Sequence, residues 1–139
     1  MNKYIIKRYN EIVNDDDTVY HLGDFTMAGP NRKHGIELFV RKLKGTKIIV
    51  LGNHDKLRAL DYVDIGFQSA HTFLHLEQHD LFLTHDPAVA SILLNKRWIH
   101  GHVHNLWKFK DTLVNVSVDV WDFKPVSLNQ ILEYYESRE

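Results

Sequence analysis

Ile48-Ile49-Val50-Leu51-Gly52-Asn53-His54-Asp55 decides the reading of this chain. Four apolar residues, three of them β-branched, predict a buried strand over Thr46–Leu51. A glycine then ends the strand, and an amide, an imidazole and a carboxylate follow in the loop. Such residues at a strand end add little to a core, so their presence points to chemistry. The same arrangement recurs along the chain. His21-Leu22-Gly23-Asp24 follows a β-type run, as do Thr84-His85-Asp86 and Gly101-His102-Val103-His104. Each time a metal-type ligand stands just past an apolar strand.

The rest of the pattern builds a scaffold around these loops. Ile5, Tyr9, Ile12 and Val13 recur at helical spacing and predict a helix over Asn2–Val13. Asn14-Asp15-Asp16-Asp17 turns the chain into a short strand, Thr18–Leu22. Ile36, Phe39, Val40 and Leu43 share one face of a second helix, Lys33–Leu43, which Gly45 stops. Lys56–Gly66 reads as short helix and loop. His71–Leu76 and Asp80–Thr84 read as paired strands joined through Glu77-Gln78-His79. A short helix over Pro87–Leu94 and a strand over Arg97–His100 follow. Leu106–Lys110 and Leu113–Val118 form a hairpin around Asp111-Thr112. The last helix starts at Ser127, with Gln130 completing a capping box, and its apolar face is Leu128, Ile131, Leu132 and Tyr135. Strands alternate with helices early and dominate late, which predicts a single α/β layered domain over residues 1–139.

Composition narrows the function classes. The chain has 139 residues, a net charge of −1 and no cysteine, so it carries no disulfide framework, no thiolate metal site and no thiol nucleophile. No basic field for tight nucleic-acid binding is evident, no apolar run is long enough to cross a membrane, and no signal peptide opens the chain. A cytoplasmic location is expected. Ten histidines make a metal or proton-transfer site plausible. Asp24, Asn53, His85, His102 and His104 offer an oxygen and nitrogen donor set suited to Mn²⁺, Zn²⁺, Fe or Ni²⁺. Two such ions about 3.5–4 Å apart can clamp a phosphate and lower the pKa of water. His54, beside Asn53, is placed to meet substrate as an acid, and Asp55 to orient its imidazole. His21 reads as a structural residue, His100 as a packing residue or a support behind the ligands, and His34, His71, His75 and His79 as surface or sheet residues. Trp98, Trp107 and Trp121 read as core or site-wall aromatics.

In order and placement, these motifs resemble the calcineurin-like metallophosphoesterases. That family carries Asp-x-His, Gly-Asp, Gly-Asn-His-(Asp/Glu), a lone His and Gly-His-x-His, and the last four are here. The resemblance implies a four-layer α/β/β/α sandwich. It implies that Asp24 bridges two metals, that Asn53, His85 and His102 complete one site, and that His104 belongs to the other. It implies hydrolysis of a small phosphomonoester or phosphodiester by in-line attack of metal-bound hydroxide, with His54 and Asp55 catalytic. The first motif, Asp-x-His, is absent, and with it two ligands and the first strand. The expectation is a domain truncated at its N-terminus relative to the family. Strand exchange in a homodimer, a one-metal site, or a degenerate metal-binding or interaction module on the same fold are the alternatives. A nuclease acting on small oligonucleotides is a third reading.

Overall fold

The computed structural model describes residues 3–23, 33–52, 55, 57–92, 95–103, 106–117, 120–121 and 124–138. The order of elements is α1 (Lys3–Ile12), β1 (Thr18–His21), α2 (Lys33–Arg41), β2 (Thr46–Val50), α3 (Ala59–Asp64), β3 (Ser69–His71), β4 (Leu74–Leu76) and β5 (Leu81–Leu83). A 3-10 helix (Pro87–Ile92), β6 (Arg97–His100), β7 (Phe109–Lys110), β8 (Leu113–Asn115) and α4 (Leu128–Glu136) complete it. The fold is mixed α/β, with two sheets.

The first sheet is parallel and runs β1-β2-β3, with Thr18 opposite Thr46 and Ile48 opposite Ser69. The second runs β4-β5-β6-β8-β7. Its inner strands β5, β6 and β8 are parallel, whereas β4 and β7 are antiparallel edges. Period-two alternation sorts the side chains between faces. On one face of the first sheet, Ile49 joins Tyr9 and Val13 from the end of α1, Ile36 and Val40 from α2, and Tyr62 from α3. On the other face, Leu22 and Val50 meet Leu81, Leu83, Ile99 and Val114 of the second sheet and Ile131 and Tyr135 of α4. Phe82 and Trp98 form a smaller cluster on the far face of the second sheet.

Local chemistry explains the boundaries. At Gly45, φ is +89°, and an added Cβ would stand 2.9 Å from the Asp17 carbonyl oxygen, so glycine lets the chain turn from α2 into β2. Lys47 donates to the Leu43 and Gly45 carbonyls at 2.7 and 3.2 Å, satisfying groups left open where α2 ends. At the N-terminus of α4, Ser127 Oγ accepts from the Gln130 N–H at 3.2 Å, and Gln130 Oε1 accepts from the Ser127 N–H at 3.0 Å, the expected capping box.

One expectation fails. His71–Leu76 is not one strand. His71 ends β3 and pairs with Val50 in the first sheet, whereas Leu74 starts β4 and pairs with Leu83 in the second. The chain crosses between sheets at Thr72-Phe73, because the core on each side takes only part of the apolar run.

His21 is a packing residue. Its ring stacks on Tyr9 at 6.0 Å and meets Phe67 edge-on at 5.6 Å. Burial, then the charge of Lys47, pull its pKa down from 6.5 to about 3. Below pH 6.5 the unfolded chain therefore takes up a proton that the folded ring refuses. The contribution to stability is complete above pH 6.5 and drains as the pH falls from there towards 3. Urea unfolding at pH 7.5 and pH 5 should show the wild type losing about 2 kcal/mol more than His21→Phe over that interval. Parallel losses in the two proteins would refute the assignment.

Candidate metal centre

Four parallel strands deliver their C-terminal ends to one end of the molecule. β1 leads to Leu22-Gly23, β2 to Leu51-Gly52, β5 to Thr84-His85 and β6 to Gly101-His102. Pairing of β5 with β6 continues past the strand ends: the Thr84 N–H donates to the Ile99 carbonyl at 3.0 Å, and the Gly101 N–H to the His85 carbonyl at 3.1 Å. This fixes the backbone of His85 against the loop that carries His102.

His85 is buried. Its Nδ1 donates to the Leu22 carbonyl at 2.8 Å, a bond from the second sheet to the end of β1 in the first. A neutral imidazole with its proton on Nδ1 keeps a lone pair on Nε2. That Nε2 faces His102 Nδ1 at 3.0 Å, with the rings edge to face at 4.8 Å. With that tautomer of His85, the hydrogen bond between the two rings takes its proton from His102 Nδ1. A cation taking the place of that proton would find two ring nitrogens already aimed at it, and the Leu22 carbonyl would hold His85 in the ligating tautomer.

Glycines make the closure physically allowed. An added Cβ at Gly23, where φ is +90°, would lie 2.3 Å from His85 Nδ1. At Gly101 it would lie 3.1 Å from the Leu22 oxygen. The backbone at His102 is unusual: φ is +70°, and the Val103 N–H donates back to the Gly101 carbonyl at 2.8 Å. A non-glycine residue at the centre of so tight a turn costs free energy, and such positions cluster at functional sites.

Asp55 closes the loop after β2. Its Oδ2 accepts from the Gly52 N–H at 2.8 Å, and its own N–H donates to the Gly52 carbonyl at 3.2 Å. The two bonds, one through the carboxylate and one through the backbone, tie Asp55 to Gly52. Burial, then the charge of Asp55, push the Tyr62 phenol up to about 12.

Of the residues singled out in the sequence, the structure brings His85 and His102 together and places Asp55 at the base of its loop. Asp24, Asn53, His54 and His104 lie outside the described residues. Among the described residues no three acidic or histidine side chains form a group that could hold a metal by themselves. A complete site would draw on Asp24, Asn53 or His104. The donor chemistry of His85 and His102 fits a borderline divalent cation.

Sequence reasoning passed over three contributors. The Leu22 carbonyl left no mark in the sequence, because every residue has one. Asp86 has its Oδ2 4.0 Å from His102 Nε2, and its Oδ1 accepts from the Ala88 N–H at 2.9 Å. Asn115 is fully buried; its Nδ2 donates to the Trp107 carbonyl at 2.7 Å, and its Oδ1 accepts from the Ser117 N–H at 3.0 Å. It braces the segment that follows the Gly101–His104 motif. An asparagine within the apolar run Leu113-Val114-Asn115-Val116 was the available signal, since strands disfavour it. His100 is buried beside Trp107, with ring centroids 5.7 Å apart, and its Nδ1 donates to the Gly101 carbonyl at 2.8 Å, the packing role expected of it.

Gly23→Ala tests the closure directly. Positive φ and the contact with His85 together predict a loss of about 2–4 kcal/mol in urea unfolding. In ¹⁵N NMR spectra the His85 imidazole should lose its Nδ1-protonated signature. An unchanged tautomer would show that the close approach is not needed.

No protein-family model matches the chain. The uncharacterized protein MJ1445 of Methanocaldococcus jannaschii is 34% identical over a 144-residue alignment that covers 98% of this chain and 76% of that protein. Among solved structures, the protein of unknown function AQ665 from Aquifex aeolicus matches with a TM-score of 0.70 at 25% identity, over 94% of this chain and 83% of that one. The sequence match extends through the strand-end loops and the elements that carry them, and the chain belongs to the family of the archaeal MJ1445 protein.

Proposed function

We propose that this chain is a metal-dependent phosphoesterase on a calcineurin-like, four-layer α/β/β/α scaffold. The observation that carries the reading is the convergence of His85 Nε2 and His102 Nδ1 at 3.0 Å, with the His85 tautomer set by the Leu22 carbonyl. Three of the scaffold's layers are supported by the helices packed on one face of the first sheet and by the apolar layer between the two sheets.

His85 and His102 would hold one divalent cation with Asn53, and Asp24 would share it with a second cation held by His104. Mn²⁺, Zn²⁺, Fe and Ni²⁺ all suit these donors. Such cations lower the pKa of water and neutralise the charge that a phosphoryl group develops in transfer. His54 would protonate the leaving oxygen. Asp55 would orient the His54 imidazole, and its carboxylate, which bonds the Gly52 N–H, would also fix the loop. The substrate is a small phosphomonoester or phosphodiester, with no membrane partner and no tight nucleic-acid binding.

Hydrolysis of bis-p-nitrophenyl phosphate across a Mn²⁺ titration tests the reading. Turnover should require metal and fall to background in Asn53→Ala. His54→Ala should lose about 10²–10⁴-fold in rate, the usual span for a general acid, and still bind Mn²⁺ by calorimetry. Equal turnover in wild type and Asn53→Ala would refute it. Mn²⁺ binding without turnover of any phosphate ester would favour a binding module on the same scaffold.

A further inference from the structure

The loop after β5 addresses both nitrogens of a single imidazole. It opens with Thr84-His85-Asp86. His85 Nε2 stands 3.0 Å from His102 Nδ1, and Oδ2 of the next residue, Asp86, stands 4.0 Å from His102 Nε2. Two consecutive residues thus bracket the His102 ring. Its backbone is constrained as well, since φ is +70° and the Val103 N–H closes a tight turn onto the Gly101 carbonyl at 2.8 Å.

Asp86 is held in place by its own turn. Its Oδ1 accepts from the Ala88 N–H at 2.9 Å, and its carbonyl accepts from the Val89 N–H at 3.2 Å. Asp commonly closes turns in this way. That leaves Oδ2 for His102. A separation of 4.0 Å is too long for a hydrogen bond, and the tautomer explains the gap. With the proton on Nδ1, where the ring meets His85, a neutral His102 presents a lone pair to the carboxylate, and two acceptors do not close. Moving that proton to Nε2 turns the contact into a charge-assisted bond of about 2.7–2.9 Å. The same move frees Nδ1 beside His85 Nε2, and the ring stays neutral. The two side chains are 38% and 48% exposed, so charge attraction alone is weak. The selectivity lies in the direction of the hydrogen bond.

We propose that Asp86 is the positioning residue that selects the Nε2-protonated tautomer of His102 and so presents its Nδ1 to a divalent cation. Asp86 does for His102 what the Leu22 carbonyl does for His85. The carbonyl keeps the His85 proton on Nδ1 and leaves Nε2 for the cation; the carboxylate keeps the His102 proton on Nε2 and leaves Nδ1. Opposite tautomers let the two rings converge on one point, each fixed by an acceptor behind it. The inference rests on the metal-centre reading of this end of the molecule and is independent of the reaction performed there.

Zn²⁺ is the probe, because it is diamagnetic and suits imidazole donors. Above the titration range of histidine, ¹⁵N NMR spectra should show the His102 proton on Nδ1 in the metal-free chain and on Nε2 in the Zn²⁺-loaded chain. Asp86→Asn keeps an oxygen for the Ala88 N–H and turns an amide NH₂ towards His102, which favours the tautomer that cannot ligate through Nδ1. By calorimetry it should bind Zn²⁺ about 10–100-fold more weakly than wild type, with the thermal midpoint of the metal-free protein unchanged. A Zn²⁺-loaded wild type with His102 protonated on Nδ1 would overturn the proposal without any variant. Equal Zn²⁺ affinity in wild type and Asp86→Asn would overturn it too. Both results leave the metal centre standing, because Zn²⁺ is still bound. A wild type that binds no Zn²⁺ would overturn the metal centre and this role of Asp86 together.

Discussion

The bond from His85 Nδ1 to the Leu22 carbonyl is the constraint on which the candidate site depends. It spans 63 positions of sequence and joins the end of the second sheet to the end of the first. It is buried, so losing either partner would leave a desolvated polar atom at a cost of about 1–3 kcal/mol. It also decides which nitrogen of His85 is free to bind. A single contact thus serves packing, registration of the two sheets and ligand chemistry. The two glycines nearest to it follow from the same demand. Gly23 leaves room for the His85 ring, and Gly101 leaves room for the Leu22 carbonyl. Read as motifs they look like punctuation, but in space they are the clearance on either side of one imidazole.

Much of this was legible in the chain. Strand ends could be located because β-branched runs stop at glycine, as at Ile48–Gly52. The last helix could be placed because Ser127 and Gln130 carry a capping chemistry that depends on local spacing alone. Likewise, His21 could be set aside as structural because it alternates with Tyr20 along a strand, and His100 as a packing or supporting residue because it stands two positions before His102. Asp24, Asn53, His54 and His104 rest on the sequence pattern alone.

What was not legible depends on distance rather than on local pattern. The run from His71 to Leu76 looks continuous because nothing local says that its halves belong to different sheets; only the cores on either side decide that. The bracing role of Asn115 becomes visible once Trp107 and Ser117 are seen at its two ends. Asp55 is expected to orient His54, which lies outside the described residues, and its Oδ2 accepts from the Gly52 N–H. That bond is a local one, of the kind by which Asp side chains commonly stabilise turns. It lets the residue hold the loop whatever its second oxygen meets.

The site end of the molecule departs from local rules, and the departures share a direction. His102 takes a left-handed backbone without being glycine. His85 spends a buried position on a polar ring, and Asn115 places an amide inside a strand. Each of these costs stability relative to an apolar or glycine alternative, and each cost falls within a few residues of the strand ends that carry metal-type ligands. Elsewhere Asp80 and Asp111 also take a left-handed backbone, but each stands in a turn between two strands, where Asp tolerates that conformation. A sequence shaped for folding alone would place its exceptions without regard to one another. Their concentration around one imidazole pair is best understood as the stability given up to hold two ring nitrogens in a fixed, converging geometry.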